Sequence, residues 1–341
     1  MRIFIEHSKF GLEAHDDLLR QWHARREERG PLYLDLRRAS FVDPYGLCAL
    51  VLFLNHLPDK ALPLRLKLKG WPREPPEPRL PSSARSPVPA PVGVGGAPGP
   101  FVRARKKAAR EWDLRDLSPP VRYLTRMGFW QEIADRLDVP RDWVPVRPLW
   151  EPDSNVLLDI SIMHSHDAIS VVLRRTGEIL QNLHYTPVGR GHVLEVLSEL
   201  CSNVLMHAKS DFGAIAAMQT YKTLSGARYV VMSIGDHGIG VRASLAANPK
   251  FQSRLDSDAQ ALGLAMQPGA SRFDVGGHGG GLPRVLEIAR RYGGRVVARS
   301  GTGAFSFNGS TEAKQSFEVP DLAGTLLRIA LPEARLRGKD K

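Results

Sequence analysis

Glu199-Leu200-Cys201-Ser202-Asn203-Val204-Leu205-Met206-His207-Ala208 is the stretch on which the reading of this fold turns. Val193, Leu194, Val196, Leu197, Leu200, Val204 and Leu205 recur at helical spacing and supply a core face. Glu199, Asn203 and His207 stand four residues apart, so they form a polar stripe along one side of that helix. The amide oxygen of Asn203 suits the octahedral shell of magnesium, a hard cation. Glu199 can orient or deprotonate a nearby water or hydroxyl. Taken alone, the stripe reads first as the solvated side of a surface helix.

Two further motifs follow in order. Arg228-Tyr229-Val230-Val231-Met232-Ser233-Ile234 has the β-branched content of a strand and runs into Asp236-His237-Gly238-Ile239-Gly240. A carboxylate at a strand end can accept a hydrogen bond from an exocyclic amine, and Gly238 and Gly240 let the backbone approach a ligand closely. An ordinary Asp-x-Gly turn is the alternative reading. Gly276-Gly277-His278-Gly279-Gly280-Gly281-Leu282 then precedes an apolar-periodic helix that starts near Pro283. Glycines at a helix start free backbone N–H groups to hold phosphates. No apolar strand leads directly into Gly276 and no acid stands at the ribose-binding distance, which disfavours a dinucleotide-binding Rossmann loop.

In series, these motifs resemble the GHKL superfamily of ATP-binding domains, shared by histidine kinases, anti-sigma-factor serine kinases, type II topoisomerases and heat-shock chaperones. Glu199, Asn203 and His207 match its N box. Asp236, Gly238 and Gly240 match the first glycine box, and Gly277, Gly279, Gly281 and Leu282 the second, with Gly280 where kinases often carry an apolar residue. Gly324-Thr325-Leu326-Leu327-Arg328-Ile329-Ala330-Leu331-Pro332 resembles the terminal strand, whose Thr lies near the adenine. The resemblance covers residues 154–333. It implies an α/β sandwich: a mixed sheet with helices on one face and ATP between the helices and a lid. It further implies Asn203 as the Mg2+ ligand, Asp236 as the reader of the adenine amine and Glu199 as general base. The lid would span Arg242 to Val275, with Arg272 a candidate to meet the terminal phosphate or an ordinary solvated loop arginine.

The first half reads as a smaller α/β layer domain over residues 1–140. Arg2–Glu6, Leu32–Leu36 and Leu64–Leu68 have strand patterns; His15–Glu28, Tyr45–Leu57 and Pro119–Leu137 have helical ones. Leu34 to Leu47 resembles the strand and helix start of a STAS domain, the fold of anti-sigma-factor antagonists. Pro44 and Tyr45 stand where that family has its serines, and Asp43 reads as a helix N-cap. A proline- and glycine-rich insertion at 72–100 lacks the means to pack and is expected to be disordered. Residues 141–153 form a linker and 334–341 a basic tail. His164 or His166 could suggest a phosphoacceptor helix, but only one long helix fits before Glu199, and Ser165 or Asp167 as helix cap explains the cluster better.

Length and composition agree. At 341 residues and 43% hydrophobic, the chain supports roughly two ordinary domains. Its two cysteines, Cys48 and Cys201, fall in apolar helices, which disfavours a disulfide framework or zinc site and makes a reducing compartment the default. The longest apolar run, Leu47 to Leu54, is too short to cross a bilayer, and no signal peptide opens the chain, so a cytoplasmic location without membrane insertion is expected. The net charge of +11 is dispersed, with one cluster at Arg103–Arg110 and no interleaved aromatics. That argues against nucleic acid and leaves room for an acidic protein partner. The expectation is an ATP-binding regulatory protein, an ATPase or a serine or histidine kinase of the GHKL type, switching a protein partner. A non-catalytic, nucleotide-stabilised scaffold is the alternative, and a homodimer stays open.

Overall fold

The computed structural model describes residues 1–70, 117–138, 156–223, 225–271 and 280–338. The 72–100 insertion, the Arg103–Arg110 cluster and the 141–153 linker lie outside the described residues.

The first half opens with β1 (Arg2–Phe4), β2 (Lys9–Phe10), α1 (Leu12–Arg25), β3 (Tyr33–Leu36), β4 (Phe41–Val42), α2 (Pro44–Asn55) and β5 (Arg65–Leu68). β1, β3 and β5 form a parallel sheet in that order, and β2 pairs with β4 in a short parallel ladder. Parallel neighbours need long crossovers, which α1 and α2 supply. Asp43 starts α2 as expected, its Oδ1 accepting from Gly46 N at 2.9 Å, with Pro44 in the first turn. The single helix expected over Pro119–Leu137 is two, α3 (Pro119–Arg126) and α4 (Phe129–Ile133). Gly128, at φ +77°, breaks it. The break lets Trp130 turn inward, where its Nε1 donates to Thr125 Oγ1 at 2.9 Å.

The second half runs β6 (Val156–Met163), α5 (His166–Asn182), α6 (Pro187–Asn203), β7 (Ala214–Lys222), β8 (Arg228–Asp236), α7 (Gly240–Ala246), α8 (Asp258–Ala265), α9 (Gly281–Tyr292), β9 (Arg295–Asn308) and β10 (Ala313–Pro332). Ser165 caps α5, accepting from Ala168 N at 3.2 Å, and His164 and His166 are both exposed beside it. The sheet order is β6-β7-β8-β10-β9. The α/β sandwich holds, but every pairing is antiparallel where a mixed sheet was expected. Two helices between β6 and β7 carry the chain across and back, so β7 must run against β6.

Both faces of this sheet are buried. In β7, Ala214, Ala216 and Met218 join the core under α6 and α9, while Ile215 and Ala217 join the core of the first half. The face opposite α5, α6 and α9 is covered by α1 and α2. Polar ties cross that junction: Arg328 Nε lies 3.2 Å from Asp43 Oδ2, buried Arg299 pairs with Asp16, and His23 Nε2 lies 2.8 Å from the carbonyl of Asp321. Strands buried on both faces need no polar alternation, which explains the nearly continuous apolar run of β8.

Candidate nucleotide site

α6 begins at Thr186, whose Oγ1 accepts from Gly189 N at 3.0 Å. It ends in an unusual way. After Asn203 the chain widens into one π turn, Val204–Ala208, and Lys209 leaves it in the left-handed region. π turns recur at functional sites because they re-aim side chains without ending the helix. Asn203 and His207 line a cleft between α6, α9 and the sheet; Glu199 is exposed and not among the residues lining it. The three do not share one environment, although the sequence places them on one stripe.

The first glycine motif enters the cleft from the end of β8. Asp236 is buried, its Oδ1 accepting from Gly238 N at 2.7 Å. Burial pushes its carboxyl up to about 7, against the opposing pull of backbone hydrogen bonds at Gly238 and Thr325. Gly238 packs against the carbonyl of Ala208, where a Cβ would sit 2.1 Å from the oxygen, and Ile239 N donates to that same oxygen at 2.8 Å. Gly240 turns at φ +75°, and Val241 N then donates to Ser300 Oγ at 2.9 Å.

Thr325 stands opposite Asp236 in the β10–β8 register and lines the same cleft. The second glycine motif is described from Gly280 onward; Arg272, Gly277 and Gly279 lie outside the described residues. A Cβ on Gly281 would fall 2.8 Å from both Asn203 Nδ2 and Glu199 Oε2, so the start of α9 and the polar side of α6 close on each other there. A Cβ on Gly280 would meet nothing within 4 Å. Leu282 and Pro283 line the cleft at the positive end of α9. Arg284 clamps this helix to α6, reaching Glu195 at 2.6 and 3.1 Å.

The expected lid segment is largely helical in its described part. Residues 242–271 carry α7 and α8 around a small core of Leu245, Leu255, Ala261, Leu264 and Ala265. Apolar residues at helical spacing decide this stretch. Buried Asn248 anchors its far end, with Nδ2 donating to Ser271 O at 2.9 Å.

Sequence reasoning missed two contributions. The cleft walls are apolar, from Leu200, Val204, Ile234, Leu245 and Leu327, and none of these was read from the sequence as lining a site. Ser300 ties three parts of the site together: it accepts from Val241 N, donates to Gly324 O at 2.8 Å and lies 3.3 Å from Thr325 Oγ1. A serine within a strand gives no signal of that role. On the opposite side of the sheet, Tyr45 is fully buried, its hydroxyl 3.0 Å from His15 Nδ1, and so closed to solvent. Among the described residues, no cluster of three or more His, Cys, Asp or Glu could hold a metal, and no helix is long and apolar enough to cross a membrane.

No protein-family model matches this chain, and no curated protein does. The similarity is to histidine kinase domains. One is the histidine kinase domain from the blue-light activated histidine kinase of Erythrobacter litoralis EL346, at 12% identity over 50% of this chain and 68% of that one, with a TM-score of 0.24. Another is the mycobacterial sensor histidine kinase MprB, at 16% identity over 48% of this chain and 95% of that one, with a TM-score of 0.25.

Proposed function

We propose that residues 156–332 bind magnesium-ATP and that the protein uses it as a switch or kinase acting on a partner protein. The observation that carries this reading is the meeting of Asn203, Asp236, Gly281 and Thr325 around one apolar cleft at the N-terminus of a helix. Apolar walls with a few placed polar groups suit a purine. Asp236, buried and with its carboxyl raised to about 7, is set to accept a hydrogen bond from the amine of adenine, which favours its charged form. The N–H groups at the start of α9, which no side chain among the described residues caps, suit the phosphates. Asn203 offers the neutral oxygen that a cation held mainly by phosphate oxygens needs. Bound magnesium-ATP would supply the transferable phosphoryl group; Glu199, facing Gly281, would take a proton from the acceptor.

A second reading, a nucleotide-stabilised scaffold without turnover, is favoured by the exposure of Glu199, which does not line the cleft. Calorimetry and ATP turnover on the full chain separate the two. Parent protein should bind ATP with magnesium, Asn203→Ala should lose the metal-dependent part, and Glu199→Gln should bind yet lose turnover. No binding of any adenine nucleotide overturns the site; equal turnover by Glu199→Gln and parent overturns the base.

A further inference from the structure

The two sides of β8 and β10 serve different parts of the molecule. Ile234, Asp236, Thr325 and Leu327 line the cleft. Their neighbours along each strand turn the other way, as the period of a strand requires. Ser233 offers its carbonyl to Cys48 Sγ at 3.9 Å, Leu326 joins the core of the first half, and Arg328 pairs with Asp43.

The turn after β8 continues this arrangement. His237 follows Asp236 directly, and its imidazole lies flat on that of His56, with centroids 3.4 Å apart and planes 8° apart. His56 is the residue that ends α2. Its ring is oriented from two sides: Nδ1 lies 2.7 Å from Leu52 O, and Phe212 meets it edge-on at 5.1 Å. Burial lowers the basicity of both imidazoles, His237 to about 4, so each stacks as a neutral ring. Of the two side chains in His237–Gly240, that of Ile239 is exposed. His237 is therefore the side-chain anchor of a turn that otherwise holds by backbone hydrogen bonds.

We propose that His56, in the first half of the chain, is a positioning residue for the purine end of the nucleotide site: stacked on His237, it holds the Asp236–Gly240 turn in the shape that aims the Asp236 carboxylate at a 6-amino group. The proposal rests on the nucleotide reading above. It makes the first half part of the site's framework, because a buried acceptor displaced by even an ångström loses its alignment with a ligand donor.

The test compares ATP with purine riboside triphosphate, which lacks the 6-amino group, by calorimetry on the full chain with magnesium. The parent should favour ATP by about tenfold or more, the effect of one charge-assisted hydrogen bond. His56→Leu, which fills the space without a flat ring, should bring that ratio close to one and leave binding of the analogue within about twofold. His56→Phe should keep most of the ratio. A general loss of structure would weaken both ligands together and leave the ratio unchanged. If His56→Leu does not fold, His237→Leu reads the same ratio from the other ring and His56→Phe supplies the rescue. A ratio in the leucine variant equal to the parent's overturns the proposal and leaves nucleotide binding standing. A parent that binds neither triphosphate overturns the nucleotide reading itself, and a parent that binds both equally overturns the role of Asp236 and this proposal with it.

Discussion

α2 and α6 lie against the same antiparallel sheet from opposite sides, and their sequences differ accordingly. α2 buries ten of its twelve residues, because it is held between the sheet on one side and α1 and α4 on the other. α6 buries Val193, Val196, Leu197, Leu200 and Cys201 and leaves Glu199 to solvent. A helix enclosed all round has no use for a polar stripe; a helix with one side open to solvent and a cleft has room for one. The difference separates the two faces: the back one is sealed, and the front one keeps Glu199 in solvent and Asn203 and His207 in the cleft.

The sharpest way to break this contrast is on the sealed side. Arg299 is 1% exposed, pairs with Asp16 of α1 and donates to Pro320 O at 3.1 Å. Arg299→Ala leaves the Asp16 carboxylate without its cation and should cost about 3–5 kcal/mol. Urea denaturation followed by far-UV dichroism and by the six tryptophans, all within residues 22–150, should show one shared transition at a lower midpoint. Two separate transitions would mean that the halves do not stand or fall together.

On the front face, Asp236→Asn should lose about 1.5–3 kcal/mol of ATP affinity, with little loss of stability. The pH dependence sharpens the point. Burial raises the Asp236 carboxyl to about 7 from an ordinary value near 4, so the unliganded fold gains stability as pH falls through 7 towards 4 and loses it as pH rises through that window. ATP affinity should move the opposite way, falling as pH drops below about 7, because the acceptor loses its charge. Calorimetry at pH 8 and pH 6 checks this, and Asp236→Asn should flatten the difference. A parent affinity unchanged between the two would remove Asp236 from the ligand.

The smallest effect concerns how firmly the front helix is held. Thr186 Oγ1 accepts from Gly189 N and donates to Leu336 O, both at 3.0 Å. Thr186→Ala should cost about 1 kcal/mol, measured by thermal melting, without moving the ATP ratio that reads the purine end.

Much of this was legible in the chain. The helix carrying Asn203, the strand ending at Asp236 and the glycines before α9 follow from period, β-branching and turn chemistry, all local properties. Asp43 as a cap was readable for the same reason, and so was a cap at Ser165 or Asp167, of which the structure selects Ser165. The π turn after Asn203 was not: four-residue spacing assumes an unbroken α-helix, and the widening depends on Ala208 receiving Ile239 N from the next motif. The helical character of residues 242–271 was not legible either, because it rests on a small apolar cluster that gives only a weak periodic signal.

Sequence alone determined the pieces of the front face, since each motif carries its own geometry: a polar residue per turn, a carboxylate at a strand end, glycines where the backbone must come close. Tertiary structure alone decided that the back face is covered, that Tyr45 is shut in beside His15, and that His56 lies on His237. Those are meetings between residues 30 to 181 positions apart in the chain. No local pattern encodes them, because an apolar helix such as α2 specifies that it must be buried and leaves its partner unnamed.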